Sequence, residues 1–325
     1  MQARIGMPQP TSAASFSRRE KARLRLASQG LSVQRWESAE EVVRAFGVMQ
    51  GQDLHSVRRS LALRAQDRSD AGNIVRGYPM RHTLFAASVK DTGWITELCA
   101  KRRKGDAELV AKVNKLIDRP LSRAELKERA TTTLPEVPFW HVVRVAMESG
   151  HAVYSGVEQL ITPVELPGLD EAFNGDQVAA TADLMVRYFR THGPATLRDF
   201  AWWTKLPQRL IRPAADSLPP DIERCGEESQ DFVSKVVMDM AEARRKRSVL
   251  LLGAFDEYIL GYRDRSFAMT SEVHEILAPG NRGVFRRAVV VDGQVRGTWN
   301  KQAIEDLGIP GYAERKVQKL WRNAR

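Results

Sequence analysis

The sequence predicts an α+β protein built from three tandem winged helix-turn-helix units and a small C-terminal β-subdomain. Two patterns predict this fold class. The order of short helix, tight turn, second helix and strand recurs three times along the chain, and this order is typical of a winged helix-turn-helix. The sequence then becomes β-prone from Ser248 onward. A length of 325 residues with 43% hydrophobic content is sufficient for two or three compact units.

The first repeat begins with the capping-box pattern of residues 38–41, after which apolar residues recur at helical spacing. We therefore expect a short helix that ends near Met49. Gly51 lies just past that point, where a residue that tolerates positive φ can terminate a helix. A second helix is predicted over residues 53–64. A proline and a β-prone run predict an extended hairpin, or wing, over residues 74–88.

The second and third repeats follow the same order with different residues. In the second, helices are predicted over residues 107–117 and 139–148, and between them a turn and a further helix begin at the capping box of residues 122–125. A strand is predicted over residues 151–154. In the third, Thr196 is placed to cap a short helix. The predicted helices of the third repeat span residues 178–191, 197–204 and 208–217.

The C-terminal part has the clearest strand pattern in the chain. An apolar run covers residues 249–252. Residues 288–299 flank an Asp-Gly pair at 292–293, which predicts a tight hairpin. A basic run just before this part marks a plausible boundary. The predicted leader, three winged helices and β-subdomain span residues 1–15, 16–100, 101–170, 171–240 and 241–325, respectively.

The composition favours a polyanionic partner. The chain has 50 Lys and Arg against 40 Asp and Glu, a net charge of +10 and a pI near 9.8. Nucleic acid is the first candidate and a membrane surface the second. No apolar run reaches the roughly 18 residues that a spanning helix needs, and the N-terminus lacks the apolar block of a signal peptide. We expect a disordered leader and a cytoplasmic, nucleoid-associated protein.

The cysteines and histidines do not suggest a metal site or a disulfide framework. Cys99 and Cys225 form no CxxC motif, and the six histidines show no ligand spacing. We therefore predict no metal.

The positive charge is clustered in four runs, at residues 18–25, 101–104, 244–247 and 314–325. Any one such run is more often a solvated surface than a binding site. Four runs in one basic chain favour a phosphate-binding surface. The candidate DNA-binding residues in these runs are Lys101, Arg102, Arg103, Arg244, Arg245 and Arg247.

Five segments carry a resemblance to a known family. The segments are FGVMQGQD (46–53), RGYPMRHTLF (76–85), HGPATLRDFAWWTKLP (192–207), GAFDEYILGYRDR (253–265) and GVFRRAVVVDGQVRGTW (283–299). With these segments the sequence resembles the winged-helix DNA-binding family of bacterial crosslink-repair glycosylases related to AlkZ. The segments appear in the family's order across about three-quarters of the chain.

The resemblance implies more than the local patterns do. It implies that the C-terminal subdomain is β-barrel-like and that the units form a C-shaped clamp around double-stranded DNA. It also implies monofunctional hydrolysis of N-alkylpurine glycosides, including bulky adducts or interstrand crosslinks, without a metal or organic cofactor. We expect the protein to act as a monomer.

The catalytic signature of the AlkZ-like branch is Gln-x-Gln, which corresponds here to Gln50-Gly51-Gln52, whereas a sister branch carries Gln-x-Asp. The chain departs from the family pattern in two places. Gly51 stands where an aliphatic residue or Ala is usual, which bears on the rigidity of the catalytic turn. The family's Arg-Gly-Thr-Leu-His stretch is Arg-His-Thr-Leu-Phe at residues 81–85, which bears on lesion preference.

The predicted chemistry constrains the backbone at this motif. Residues two apart on a helix point about 200° from each other, so Gln50 and Gln52 serve one site only where the helix has stopped. A carboxamide does not accept a proton at neutral pH, so the pair can hold water but cannot act as a true general base. The leaving group must therefore be labile. A cationic N7- or N3-alkylpurine departs without an acid catalyst, and carbonyl dipoles can stabilise the developing sugar cation.

Other residues have two readings each. Asp53 is a helix N-cap or a partner of the catalytic pair, and we favour the N-cap. The acids of residues 256–264 form a structural ion-pair network more readily than a carboxylate site. Arg81 and His82 could reach a minor groove, although His82 could equally be a satisfied or solvated histidine. The pair Trp202-Trp203 is more typical of a core than of a stacking platform.

Two further functions stay open. The chain could be a non-catalytic winged-helix DNA binder, regulatory or architectural, since both classes need basic grooves. It could also be a family member that has lost activity. The Gln-x-Gln motif and the presence of three winged helices in one chain favour the enzyme, because a regulator more often dimerises a single unit. Neither the lesion nor the need to flip the base follows from the sequence.

Overall fold

The computed structural model describes residues 16–67, 73–99, 107–156, 159–225, 230–240 and 247–324. It confirms a mixed α+β protein with antiparallel sheets. The helices are α1 (Arg18–Ser28), α2 (Ala39–Phe46), α3 (Leu54–Arg64), α4 (Val89–Cys99), α5 (Ala107–Lys115), α6 (Arg123–Thr133), α7 (Phe139–Glu148), α8 (Leu169–Phe173), α9 (Gln177–His192), α10 (Leu197–Thr204), α11 (Gln208–Asp216), α12 (Lys235–Asp239), α13 (Glu257–Leu260), α14 (Ser271–Leu277) and α15 (Gly311–Arg322). The strands are β1 (Val48–Gln50), β2 (Ile74–Met80), β3 (Thr83–Ser88), β4 (Ala152–Ser155), β5 (Leu160–Pro163), β6 (Ile222–Cys225), β7 (Asp231–Ser234), β8 (Val249–Leu251), β9 (Arg287–Val291), β10 (Gln294–Trp299) and β11 (Ile304–Asp306).

A five-stranded antiparallel sheet joins the first two predicted units. Its strand order is β1-β3-β2-β4-β5, and the pairing of Arg76 with Tyr154 connects β2 to β4. Strands that precede and follow residue 100 therefore belong to one sheet. The hairpin predicted over residues 74–88 is confirmed as β2 and β3.

The C-terminal sheet is open among the described residues. Its strand order is β11-β10-β9-β8, with antiparallel pairing throughout and no pairing between the two outer strands. The expected barrel-like closure is thus not found, because α15 covers the sheet through Ala313 and Val317 instead of a closing strand. The Asp-Gly hairpin is confirmed: Asp292 and Gly293 have φ of 48° and 81°, the positive values that a two-residue turn needs.

The largest hydrophobic core includes residues from both ends of the chain. Leu26 of α1, Ile95 of α4, Phe189 of α9, Trp203 of α10 and Val290 of β9 all belong to it and are buried. A separate core lies under α5, α6 and α7 and the hairpin β4–β5. The segment that contains α9 and α10 is therefore packed against the N-terminal and C-terminal parts.

The structure corrects the predicted end of α2. This helix ends at Phe46, and Gly47 caps it with a φ of 77°, so the positive-φ residue lies four positions earlier than Gly51. Residues Val48–Gln50 are not helical but form β1, which pairs with β3. The reason is that the backbone of residues 48–50 finds hydrogen-bond partners in the sheet, which local helical spacing does not reveal.

Several other elements agree closely with the sequence. The observed α7 and α10 have the predicted bounds, and Ser122 forms the predicted capping box. Helices α1 and α15 coincide with runs noted only for their charge. Within the described part of the chain, no helix has both the length and the apolar character that crossing a membrane requires. The predicted leader of residues 1–15 lies outside the described residues.

Candidate active site at the Gln50–Gln52 turn

Gln50 and Gln52 lie where β1 leaves the sheet and the chain turns toward α3. Gln50 is buried, since the residue is only 5% exposed. Neither its Oε1 nor its Nε2 has a hydrogen-bond partner among the described residues, and the same holds for Oε1 of Gln52. Buried amides are nearly always hydrogen-bonded. These amide atoms therefore retain hydrogen-bonding capacity that no described residue uses.

The pairing of β1 with β3 fixes the direction of the Gln50 side chain. Gln50 stands opposite Phe85, and cross-strand partners share one face of a sheet. The guanidinium of Arg81 lies 5.2 Å above the Phe85 ring. The Gln50 carboxamide thus lies on the face that carries Phe85 and its cation.

Gly51 is held firmly between its neighbours. Its N–H donates to the Leu84 carbonyl over 2.8 Å, and its carbonyl accepts from the Arg76 guanidinium over 2.7 Å. A Cβ on Gly51 would lie 2.7 Å from the carbonyl carbon of Phe85 and 2.8 Å from the nitrogen of Ala86. The glycine therefore lets the motif pack against the backbone of β3 and does not loosen the turn.

Asp53 is the N-cap of α3, as the sequence favoured. Its carboxylate accepts from the Ser56 N–H over 3.1 Å. Burial opposes ionisation of Asp53, but the hydrogen bonds from Ser56 outweigh that effect and lower its pKa. The aspartate thus fixes the start of the helix that follows Gln52.

Two consecutive acids, Asp256 and Glu257, contact the motif and the helix that follows it. Asp256 forms a fully buried ion pair with Arg64 of α3, with Nη2 and Oδ1 2.8 Å apart. Burial raises the pKa of Asp256, but the Arg64 guanidinium outweighs it and holds that pKa below its usual range. Asp256 is therefore structural, as predicted. Glu257, by contrast, accepts from the backbone N–H of Gln50 over 2.7 Å, a contact that the sequence did not predict.

Arg81 and His82 form the two-residue turn of the β2–β3 hairpin. Their φ values of 55° and 54° are both positive, as a type I′ turn requires. His82 is 55% exposed, and its Nδ1 lies within hydrogen-bonding distance of Glu148 Oε1, at 2.6 Å, at the end of α7. The hairpin tip is therefore tied to a helix of the second predicted unit. The geometry shows a partnered histidine and leaves its role at DNA a prediction.

Trp202 and Trp203 have different environments. Trp203 is fully buried in the core, as predicted for the pair. Trp202 is half-buried, and three cations surround its ring at 5.3–5.4 Å: Arg81, Lys205 and Arg265. We name this group the Trp202 cation cluster.

The positive charges of the Trp202 cation cluster act on one another. Burial and then the neighbouring Arg81 lower the pKa of Lys205 and that of Arg265. Burial also lowers the pKa of Arg81, against the opposing effect of Glu257. Like charges held this close repel one another, so a phosphate placed among them would be stabilised. Sequence analysis missed Lys205 and Arg265, although both lie in segments that carried the resemblance.

Two cavities lie near the motif, one at the hairpin tip and one at Asp53. One, of about 240 Å³, is lined by the hairpin tip, including Arg81 and His82, and by Lys205 and Glu148. The other, of about 500 Å³, borders Asp53, directly after Gln52, and is walled by aromatic, polar and basic side chains. The aromatic residues of the second cavity are Phe255, Phe285 and Trp299.

The remaining cations of the basic runs have different environments. Arg247 is exposed, and its guanidinium lies 4.5 Å from the ring centre of Tyr312. In the run 18–25, Arg25 is buried and donates to the Pro194 carbonyl, and Lys21 is paired with Asp231, so these two cations stabilise the fold. Lys101, Arg102, Arg103, Arg244 and Arg245 lie outside the described residues. Across the described ranges, no group of three or more His, Cys, Asp or Glu is arranged to hold a metal ion.

The fold and the site define an α+β protein in which a buried glutamine amide stands near a cluster of cations. The family model "DNA glycosylase AlkZ-like" matches residues 43–308, and the chain therefore belongs to the AlkZ-like family of DNA glycosylases. Among solved structures, the Streptomyces sahachiroi DNA glycosylase AlkZ is similar, with a TM-score of 0.75 and 20% sequence identity. The match covers 96% of this chain and 97% of that chain and shows a common fold. No curated protein matches the sequence at a significant level.

Proposed function

We propose that this protein hydrolyses the N-glycosidic bond of cationic N7- or N3-alkylpurines in double-stranded DNA, with bulky adducts and interstrand crosslinks among its substrates. Family membership supports a DNA glycosylase. The observation that carries the finer proposal is the buried Gln50 carboxamide, which has no partner for either of its polar atoms within the described structure.

The two glutamines would act by holding the attacking water. The Gln50 and Gln52 amides offer acceptor oxygens near one turn, and neither group titrates near neutral pH. Water held in this way is oriented but not deprotonated, which suffices when the leaving base already carries a positive charge. The amide carbonyls would also stabilise positive charge on the sugar as the bond breaks. Undamaged bases lack that charge and would be spared.

DNA would approach over the hairpin tip and the Trp202 cation cluster. Arg81 belongs to both and lies on the same sheet face as the Gln50 side chain. A phosphate among the cations would fix the strand beside the glutamines. The second cavity, next to Asp53, offers aromatic walls to a bulky substituent.

The decisive experiment is incubation with duplex DNA that contains N7-methylguanine, followed by alkaline cleavage. The parent protein should release the base and leave an abasic site in an intact backbone. Gln50→Ala and Gln52→Ala should each lower the rate by about 10- to 10³-fold, the scale typical of losing one catalytic hydrogen-bonding group. Duplex affinity should change little. Gln318→Ala, on the exposed surface of α15, is the matched control and should retain the parental rate.

Two outcomes would contradict the proposal. If the parent binds duplex DNA but releases no alkylated base, the non-catalytic DNA binder is the better description. If borohydride traps a covalent adduct to DNA, an amine and not water attacks the sugar. Lys205, whose pKa is lowered by burial and by Arg81, is the lysine to replace in that case.

A further inference from the structure

Gln50 receives its backbone hydrogen bond from a distant part of the chain. Its residue pair with Phe85 directs the Gln50 N–H away from β3, because the neighbouring Gly51 N–H is the one that bonds to β3. β1 is the edge strand of its sheet, so no further strand accepts from this N–H. The acceptor is instead Oε1 of Glu257, at 2.7 Å.

Glu257 is itself held in a single orientation. It is 1% exposed, and its second oxygen lies 3.5 Å from Nε2 of His192. His192 is fully buried and stacks on Tyr188 with ring centres 4.4 Å apart. Burial lowers the pKa of His192 despite the adjacent carboxylate, which favours a neutral ring that donates one hydrogen bond to Glu257.

Asp256, the residue before Glu257, contacts the helix that follows the motif. Asp256 binds Arg64 and Ser60, both on α3, which begins two residues after Gln52. The dipeptide at 256–257 therefore fixes the strand that enters the Gln50–Gln52 turn and the helix that leaves it. A purely structural clamp would need only the ion pair of Asp256. The hydrogen bond of Glu257 adds control over the position of Gln50 itself.

We infer that Glu257 is the positioning residue for the Gln50 carboxamide, and that it sets the rate of base excision by placing this amide, not by its charge. This inference rests on the proposed function. Without the acceptor, the buried N–H of Gln50 would be unsatisfied, and the edge strand would shift to find a partner. A shift of about 1 Å at a catalytic group can cost about 10²-fold in rate.

Three substitutions separate position from charge. Glu257→Gln removes the charge but keeps an acceptor oxygen at the same reach, so kcat should stay within about threefold of the parent. Glu257→Asp keeps the charge but withdraws the oxygen by one methylene, and Glu257→Met fills the space without an acceptor. Both should lower kcat on N7-methylguanine DNA by about 10- to 10²-fold at an unchanged KM.

Coupling to Gln50 identifies the route of the effect. When Glu257→Asp is added to Gln50→Ala, kcat should fall by less than about a further threefold, because the amide that Glu257 positions is already gone. Amide hydrogen exchange gives a readout apart from activity: the Gln50 N–H should be protected in the parent and in Glu257→Gln, and should exchange faster in Glu257→Asp. Circular dichroism and duplex affinity check that each variant is folded.

The results are decisive in either direction. The inference is overturned if Glu257→Gln loses activity as severely as Glu257→Asp, or if Glu257→Asp has its full cost in the Gln50→Ala background. It is also overturned if Glu257→Asp excises at the parental rate. A parent protein without glycosylase activity would instead refute the proposed function, and the exchange of the Gln50 amide would then report the contact alone.

Discussion

At the scale of single residues, the central feature is the combination of a rigid backbone with unsatisfied side chains at residues 50–52. The backbone of Gly51 is bonded on both sides, to Leu84 and to Arg76. The Gln50 amide, by contrast, is buried without a protein partner in the part of the chain that is described. Preorganised polar groups of this kind are costly to bury and are typical of sites that bind water or substrate.

Gly51→Ala tests whether this backbone is as tight as the distances indicate. The added Cβ would overlap the backbone of β3 at Phe85 and Ala86, which cannot move as a flexible side chain can. We expect a loss of about 1–3 kcal/mol in the free energy of unfolding, the range for overpacking. Denaturant unfolding measures it.

Gly77→Ala is the matched control for this substitution. Gly77 also pairs with Phe85, on β2, but a Cβ there would meet only side-chain methyl groups, at 3.9 Å. The free energy of unfolding should fall by less than half as much in Gly77→Ala as in Gly51→Ala. Equal stability of the Gly51→Ala variant and the parent would show that the turn is looser than described.

At the scale of elements, the β2–β3 hairpin connects the first two predicted units and carries the candidate cations to the site. Its type I′ turn presents Arg81 toward Trp202 and His82 toward Glu148. A two-residue turn with a paired strand on each side is stiff, so a side chain at its tip is presented with little entropic cost.

Replacement of both turn residues by Ala should reduce excision of N7-methylguanine more than it reduces affinity for undamaged duplex. The physical reason is that the Arg81 guanidinium lies on the same sheet face as Gln50, whereas many other cations contribute to general binding. Single-turnover rates and equilibrium binding, measured on the same DNA, give the two quantities. Equal losses in excision rate and in duplex affinity would show that Arg81 and His82 are ordinary phosphate contacts.

At the scale of the whole molecule, the net charge of +10 is divided between structural and available cations. Arg25 and Arg64 form buried contacts inside the fold. Arg81, Lys205 and Arg265 converge on one half-buried tryptophan, although they come from three separate regions of the sequence. Among the described residues, these three cations form one local concentration of positive charge.

Affinity for a random duplex should fall steeply with salt, by about 10²- to 10⁴-fold between roughly 50 and 200 mM, because each neutralised phosphate releases counterions. Lys205→Gln should reduce the slope of log affinity against log salt by about one. Lys235→Gln, an exposed cation at the start of α12, is the control and should leave the slope unchanged. A slope near zero for the parent would contradict DNA binding through phosphates.

The sequence by itself determined those features that depend on neighbours along the chain. Asp53 as an N-cap, the Ser122 capping box and the Asp292-Gly293 turn each follow from local hydrogen bonding or local backbone freedom. Family membership likewise followed from short segments in a fixed order.

Only the tertiary structure decided which distant residues meet. β1 replaced the predicted end of α2 because its partner, β3, lies more than 30 residues later and outweighs local helical spacing. Glu257 reaches Gln50 across 207 positions, and the Trp202 cation cluster draws on three regions of the chain. Such contacts form because packing of the core brings the segments together, and no pattern within a single segment encodes the distance between them.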